Sequence, residues 1–277
     1  MDTKKFKKLI AIDMDGTLLS DDKKISDETI SYLSSLYDKD YLVVIASGRP
    51  YRAIKPFYEK MNLKSPVICY NGALVFDPNN PAYPKTRYMF KKDLVLNIIK
   101  EVGYDKFKNI MLENDKKIYI KNIDKDLDTF FHFQDMDVHH GDIRKILDND
   151  CYICIFETEK DDELTNDTLV KASFAHDNIG VRFWSGNMWK NYSELYYLNV
   201  NKFVAIDNIR KYYHISKNDV IVFGDAHNDL QMLRGFDNSV VMKNAETDLL
   251  DDAKFISLAD NNEDGVRITL QEMFDIN

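Results

Sequence analysis

Leu9-Ile10-Ala11-Ile12-Asp13-Met14-Asp15-Gly16-Thr17-Leu18-Leu19 decides the reading of this chain. Four apolar residues run into two carboxylates one residue apart, then into Gly-Thr. A short apolar run closed by a turn signal reads as a buried strand. Side chains alternate along a strand, so Asp13 and Asp15 leave it on the same side. Two close carboxylates repel each other and resist burial unless they are paired or bind a metal. A hard divalent cation shared with a phosphate is the arrangement that suits them. A calcium loop is a poor fit, because Gly16 comes too early and an apolar strand precedes it.

Working outward, the same pattern recurs. Leu42 to Ala46 reads as a second buried strand that ends in Ser47-Gly48-Arg49-Pro50. Val67 to Tyr70 reads as a third, running into Asn71-Gly72-Ala73. Ser26 is placed to cap a helix reaching about Lys39, with Ile30, Leu33 and Leu36 as its apolar stripe. Strands alternating with helices imply a parallel sheet with right-handed crossovers. In such sheets ligands gather beyond the carboxyl ends of the strands, where Asp13, Ser47 and Asn71 fall.

The pattern then changes. Residues 77–84, Asp-Pro-Asn-Asn-Pro-Ala-Tyr-Pro, read as a linker. From 85 to 195 short strands and helices mix, and the close spacing of the strands predicts antiparallel pairs. The α/β pattern returns with a helix from about Asn201 to Tyr213. The strand Val220 to Phe223 follows, leading into Gly224-Asp225-Ala226-His227-Asn228-Asp229. The expected fold is a doubly wound, mostly parallel α/β core made of residues 1–84 and 196–277. An α+β module of residues 85–195 is inserted into it.

Composition narrows the function. At 277 residues and 44% hydrophobic, the chain is long and apolar enough for a real core. Its net charge of -9 argues against broad nucleic-acid binding, and any phosphate site must be built locally. Asp13 and Asp15 interrupt the first apolar run too soon for a signal peptide or a membrane span. With three cysteines and no framework, a reducing, cytoplasmic setting is expected. Cys151 and Cys154, in one strand-like run, should point to opposite faces and be structural.

Three strand ends therefore carry polar chemistry, and Lys202 opens the helix after the inserted module. Such a set suits phosphoryl transfer, where positioning and charge stabilisation dominate. One carboxylate attacks phosphorus, a metal clamps charge, and a hydroxyl and a lysine hold phosphoryl oxygens. A second carboxyl protonates the leaving oxygen and later deprotonates water. Taken singly, Lys202 reads as a solvated lysine, Ser47-Gly48 as a helix cap, Arg49 as a structural ion pair and His227 as a bystander.

Four segments in order resemble the motifs of the haloacid dehalogenase-like superfamily: Asp13-Met-Asp15-Gly-Thr17, Ala46-Ser47-Gly48-Arg49-Pro50, Lys202, and Gly224 to Asp229. The Asn71-Gly72-Ala73 turn, Asn244-Ala245 and Glu263-Asp264-Gly265 narrow the resemblance to the Cof-type, subfamily IIB, sugar-phosphatase-like hydrolases. The resemblance implies Asp13 as nucleophile and Asp15 as general acid/base. It implies magnesium held by Asp13, the Asp15 carbonyl and Asp225, with Asp229 in support. Ser47, Lys202, Asn228 and the Met14 and Gly48 amides would hold phosphate, and Thr17 would orient the Asp15 loop. The implied partner is a small phosphorylated metabolite, and the implied role of the inserted module is a lid that reads the leaving group. Its stretch from Trp184 to Tyr192 holds both tryptophans, Trp184 and Trp189. They are candidates to stack on a sugar or ring, or else to pack the module's own sheet. Phe203 and Ala226 depart from the family pattern of glycine. A positive φ at either would cost about 1 kcal/mol or more. A phosphomutase, and a phospho-ligand binding protein with vestigial activity, are the alternatives.

Overall fold

A computed structural model describes residues 5–176, 178–184 and 191–277. Trp189 and the rest of 185–190 lie outside the described residues. The chain divides into two compact units. One joins Met1–Thr86 to Asn201–Asn277; the other is Arg87–Val200.

The first unit opens with β1 (Lys8–Ile12), α1 (Asp27–Leu36), β2 (Tyr41–Ile45), α2 (Tyr51–Lys60), β3 (Val67–Cys69) and β4 (Leu74–Phe76). The two-residue strand β5 (Thr86–Arg87) marks the passage to the second unit. That unit holds α3 (Lys92–Val102), β6 (Phe107–Glu113), β7 (Lys117–Ile120), α4 (Lys125–Phe131), β8 (Asp137–His140) and α5 (Ile143–Ile146). It continues with β9 (Ile153–Thr158), α6 (Glu163–Phe174), β10 (Ile179–Phe183) and β11 (Tyr192–Tyr197). The first unit resumes with α7 (Lys202–Tyr212), β12 (Val220–Gly224), α8 (Leu230–Gly235), β13 (Asn238–Val241), β14 (Phe255–Ile256) and α9 (Gly265–Glu272).

The core sheet runs β14-β13-β12-β1-β2, and every pair in it is parallel. Leu9 and Ala11 face one side with Leu42, Val44, Val220 and Val222, and meet Ala205, Ile206 and Ile209 of α7 and Met232 and Leu233 of α8. Ile10 and Ile12 point the other way and are fully buried. α1 packs against β2 and against α9. With both faces covered, the strands read as continuous apolar runs instead of alternating ones.

Register places the site. Ile12 pairs with Ile45 on one side and with Phe223 on the other. The next residues out of the three strands, Asp13, Ala46-Ser47 and Gly224-Asp225, therefore leave the sheet at one level. The Asp13 amide donates to the Phe223 carbonyl (3.0 Å), and the Ala46 amide to the Ile12 carbonyl (2.9 Å).

Several local expectations are corrected. The 77–84 stretch is no free linker: Asp77 and Tyr83 are buried, and the Tyr83 ring lies 4.7 Å edge-on to Tyr212. In the second unit the sheet runs β10-β11-β9-β6-β7-β8, antiparallel except for β7 with β8, which are parallel and linked through α4. Cys151 precedes β9 instead of lying in it, so Cys151 and Cys154 share one apolar cluster and do not face opposite ways. Both are free and buried, and burial raises both thiols, so neither is primed to react. The Trp184 ring lies near Phe130, Phe131 and Tyr192, and its Nε1 donates to Glu194 (3.3 Å). No helix among the described residues is long and apolar enough to cross a membrane.

Candidate active site

Asp13, Asp15, Ser47, Lys202, Asp225 and Asp229 all belong to the first unit. Asp13 leaves β1 with 5% of its surface exposed. Lys202 is the first residue of α7, whose start is capped by the Asn201 side chain accepting from the Val204 amide (3.0 Å). Lys202 is fully buried, and its Nζ donates to Asp13 Oδ1 (2.5 Å) and to Asp229 Oδ1 (2.6 Å). It is therefore no solvated lysine. Asp229 is fully buried too, and its other oxygen accepts the amides of Asp225 (3.1 Å) and Ala226 (3.2 Å). One carboxylate thus fixes both the lysine and the loop that carries Asp225.

Asp225 is oriented from the first strand. The Thr17 hydroxyl donates to its Oδ1 (2.7 Å), so Thr17 serves Asp225 and not, as expected, the Asp15 loop. Gly16 has φ +76, and a methyl group there would lie 2.2 Å from Asp225 Oδ2. Only glycine gives both the turn and the close approach. Asn244 Nδ2 donates to the Gly16 carbonyl (2.8 Å), and Asn261 Nδ2 to the Leu19 carbonyl (3.0 Å), which ties the C-terminal segment to this loop.

Asp13, Asp225 and Asp229 bring carboxylate oxygens within 4.8 Å of one another. Burial pushes the Asp13 carboxyl well up, against the pull of Lys202, and the charges of Asp229 and Asp225 push it further. Burial, then the charge of Asp229, pushes Asp225 up to about 7. Burial disfavours the Lys202 ammonium, yet Asp13 and Asp229 outweigh it and hold the lysine above its ordinary value. Three carboxylates against one ammonium leave surplus negative charge in a buried place. An oxygen-lined cluster of this kind fits a hard divalent cation.

Asp15 goes elsewhere. It is gripped by Arg49, with Nε 2.6 Å from Oδ2 and Nη2 2.7 Å from Oδ1, and by Lys23 at 2.8 Å from Oδ1. Burial pushes this carboxyl up, but Arg49 and then Lys23 outweigh it and hold it below the usual range. Reading Arg49 as an ion pair is correct; its partner in the first motif was not legible. Ser47 is buried and does not cap α2, whose N-cap is Pro50. Its Oγ accepts the Arg49 amide (3.1 Å). A side-chain carbon at Gly48 would sit 3.3 Å from the Asn71 amide group. Asn71, with φ 55, accepts from Asn228 Nδ2 (3.0 Å) and so links the third strand's exit to the fourth motif. Met14 is buried at the exit of β1 beside these groups.

The two departures from the family pattern carry no strain. Phe203 lies within α7 and packs on Phe236 at 5.0 Å; Ala226 is extended, with φ -127. His227 is exposed between Glu246 (3.3 Å) and Asp248 (3.2 Å), outside the buried cluster.

Because Thr17 holds Asp225 through one part-buried hydrogen bond, Thr17→Val should lower the melting temperature by about 2–4 °C. A melting scan checks this; an unchanged melting temperature would show that the bond carries no stability.

Comparison with known proteins agrees with this geometry. A family profile described as haloacid dehalogenase-like hydrolase matches residues 10–270. The chain is 31% identical over 279 residues to the 5-amino-6-(5-phospho-D-ribitylamino)uracil phosphatase YitU of Bacillus subtilis strain 168, with all of both chains covered. It is 27% identical over 260 residues to the phosphatase YcsE of the same organism, which carries the same substrate in its name, covering 94% of this chain and 92% of that one. It also superposes on the solved structure of the HAD subclass IIB sugar phosphatase BT4131 with a TM-score of 0.78, at 19% identity, covering 98% of this chain and 100% of the other. The chain belongs to the haloacid dehalogenase-like hydrolases, and it is a phosphatase.

Proposed function

We propose that this phosphatase is magnesium-dependent and hydrolyses small phosphorylated metabolites, sugar and polyol phosphates above all, through a phosphoryl-aspartate at Asp13. The buried cluster of Asp13, Lys202, Asp225 and Asp229 carries the reading. It sets a nucleophilic carboxylate against one fixed cation and leaves charge for a second.

Asp13, the Asp15 carbonyl and Asp225 would hold magnesium, with Asp229 in support. When bound, the ion neutralises phosphoryl charge and draws the phosphate toward Asp13. Lys202, Ser47, Asn228 and the amides of Met14 and Gly48 take the phosphoryl oxygens. An Asp13 oxygen attacks phosphorus and the ester P–O bond breaks; Asp15, which takes up a proton from solvent when one of its oxygens leaves Arg49, gives that proton to the leaving oxygen. In the second half Asp15 takes a proton from water, whose oxygen attacks phosphorus. The acyl P–O bond then breaks and frees phosphate and Asp13. The aspartate pair suits an ester, whose leaving oxygen needs a proton.

Support for the substrate class comes from the ribityl phosphate in the names of two relatives. The inserted unit, Arg87–Val200, is proposed to act as a cap that reads the leaving group. The test is a panel of phosphate esters, including hexose phosphates, flavin mononucleotide, pyridoxal phosphate and the ribitylaminouracil phosphate, assayed for phosphate release with magnesium and with chelator. Release from sugar or polyol esters, lost on chelation, is expected. Release unaffected by chelation would overturn the metal assignment.

A pH dependence follows. Asp13 and Asp225 have folded values above the unfolded ones. They favour the fold while protonated, and that contribution is lost as pH rises from about 4 through about 7. The metal-free protein should therefore lose thermal stability between about pH 5 and 8. Magnesium should restore it, with a larger gain at pH 8 than at pH 5. Melting scans with magnesium or chelator check this; a gain independent of pH would contradict it.

A further inference from the structure

We propose that Arg49 is the positioning residue for Asp15, setting the direction from which that carboxyl meets the leaving oxygen. The inference rests on the assignment of Asp15 as proton donor. Its own evidence is the geometry of the pair.

Arg49 is fixed before it reaches Asp15. Its amide donates to Ser47 Oγ (3.1 Å), its carbonyl accepts from the Tyr70 amide (3.2 Å), and Pro50 follows at the N-cap of α2. Its side chain is 6% exposed, whereas that of Asp15 is 28% exposed. Two parallel bonds, Nε to Oδ2 (2.6 Å) and Nη2 to Oδ1 (2.7 Å), engage both carboxylate oxygens. A planar fork on two oxygens fixes both torsions of an aspartate; a single donor fixes neither. Lys23 adds a third bond to Oδ1 (2.8 Å) from an exposed turn, and an exposed ion pair contributes little by itself. Arg49 therefore decides the orientation. It also divides the labour of the two aspartates: Asp13 turns to Lys202, and Asp15, one residue on, turns to Arg49. To carry a proton, one Asp15 oxygen leaves the fork, while the other, still held, keeps the carboxyl facing the same way.

In the first half-reaction the consequence appears only where the leaving group needs a proton, whereas the second half is common to every ester. In single turnovers with excess enzyme, Arg49→Gln should slow release of the alcohol about a hundredfold from an alkyl ester such as glycerol phosphate, and release of p-nitrophenolate less than about fivefold from p-nitrophenyl phosphate, whose phenolate leaves unaided. The enzyme concentration giving half the maximal rate should change little for either. Arg49→Lys, which keeps charge but not the fork, should fall between, and it serves as the test variant if Arg49→Gln does not fold. Asp15→Asn should show the same selectivity, and the double variant should lose no more than Asp15→Asn alone. Equal losses in the single-turnover release step on both esters, a loss confined to half-saturation, or additive losses in the double variant would overturn the assignment. Asp13→Asn separates the two levels of argument. If it is inactive while Arg49→Gln loses equally on both esters, only the Arg49 role fails. If it turns over either ester, the mechanism fails and the Arg49 role with it.

Discussion

Asp13→Asn is expected to lower turnover about a thousandfold or more on every ester while leaving the melting temperature unchanged or raised. Activity falls because an amide oxygen does not attack phosphorus to form an acyl phosphate, and because one anionic ligand for the metal is gone. Stability holds because Asp13 is an uncomfortable carboxylate. It is nearly fully buried, it sits beside Asp225 and Asp229, and burial already pushes it toward the neutral form. Lys202 retains Asp229 as its partner at 2.6 Å. A residue held for structure would lose stability and activity together; a residue held for chemistry separates them. Parallel kinetics and melting scans read the two directly. A variant that keeps more than a tenth of wild-type activity would exclude Asp13 as nucleophile.

Lys202→Met should do the opposite and cost both. The ammonium is fully buried and is the cation that faces Asp13 and Asp229. Removing one partner of a buried ion pair leaves the other charge uncompensated, at about 3–5 kcal/mol. For a chain of this size that is a fall in melting temperature of about 10 °C. Without the lysine, which holds it down, the Asp13 carboxyl is pushed further above its unfolded value. The deficit should therefore grow as pH rises and shrink at about pH 5, where the carboxyls accept protons. Turnover should fall about a hundredfold or more, since Lys202 both orients Asp13 and supplies a donor to the phosphoryl group. An unchanged melting temperature at neutral pH would show that the carboxylates do not depend on this cation.

What sequence reading caught, and what it missed, follows from the range of the forces involved. Apolar runs ending in Asp13, Ser47 and Asp225 announce strands and their exits, because burial on both faces writes itself locally. Parallel register then brings those exits together automatically. The links between exits are long-range and leave no local trace. Thr17 reaches Asp225 across 208 residues, and Asn228 reaches Asn71 across 157. The fork from Arg49 to Asp15 is of the same kind. Backbone torsions were equally hidden: whether Phe203 and Ala226 strain their loops depends on φ, which neither residue's identity reveals. In the inserted unit, the strand Asp137–His140 lacks an apolar signal, since two of its four residues are exposed and none is fully buried. Its parallel pairing with β7 had no signature to read.

The central claim is that Asp13 itself receives the phosphoryl group. Asp15→Asn slows the second step, in which water must give up a proton, and so should allow the intermediate to accumulate. That variant, mixed with excess p-nitrophenyl phosphate and magnesium and quenched in acid, should gain the mass of one phosphoryl group, labile to hydroxylamine and mapped to the peptide bearing Asp13. A phosphoryl group found on any other residue, or release of p-nitrophenolate by this variant with no label on Asp13 under the same quench, would contradict the account.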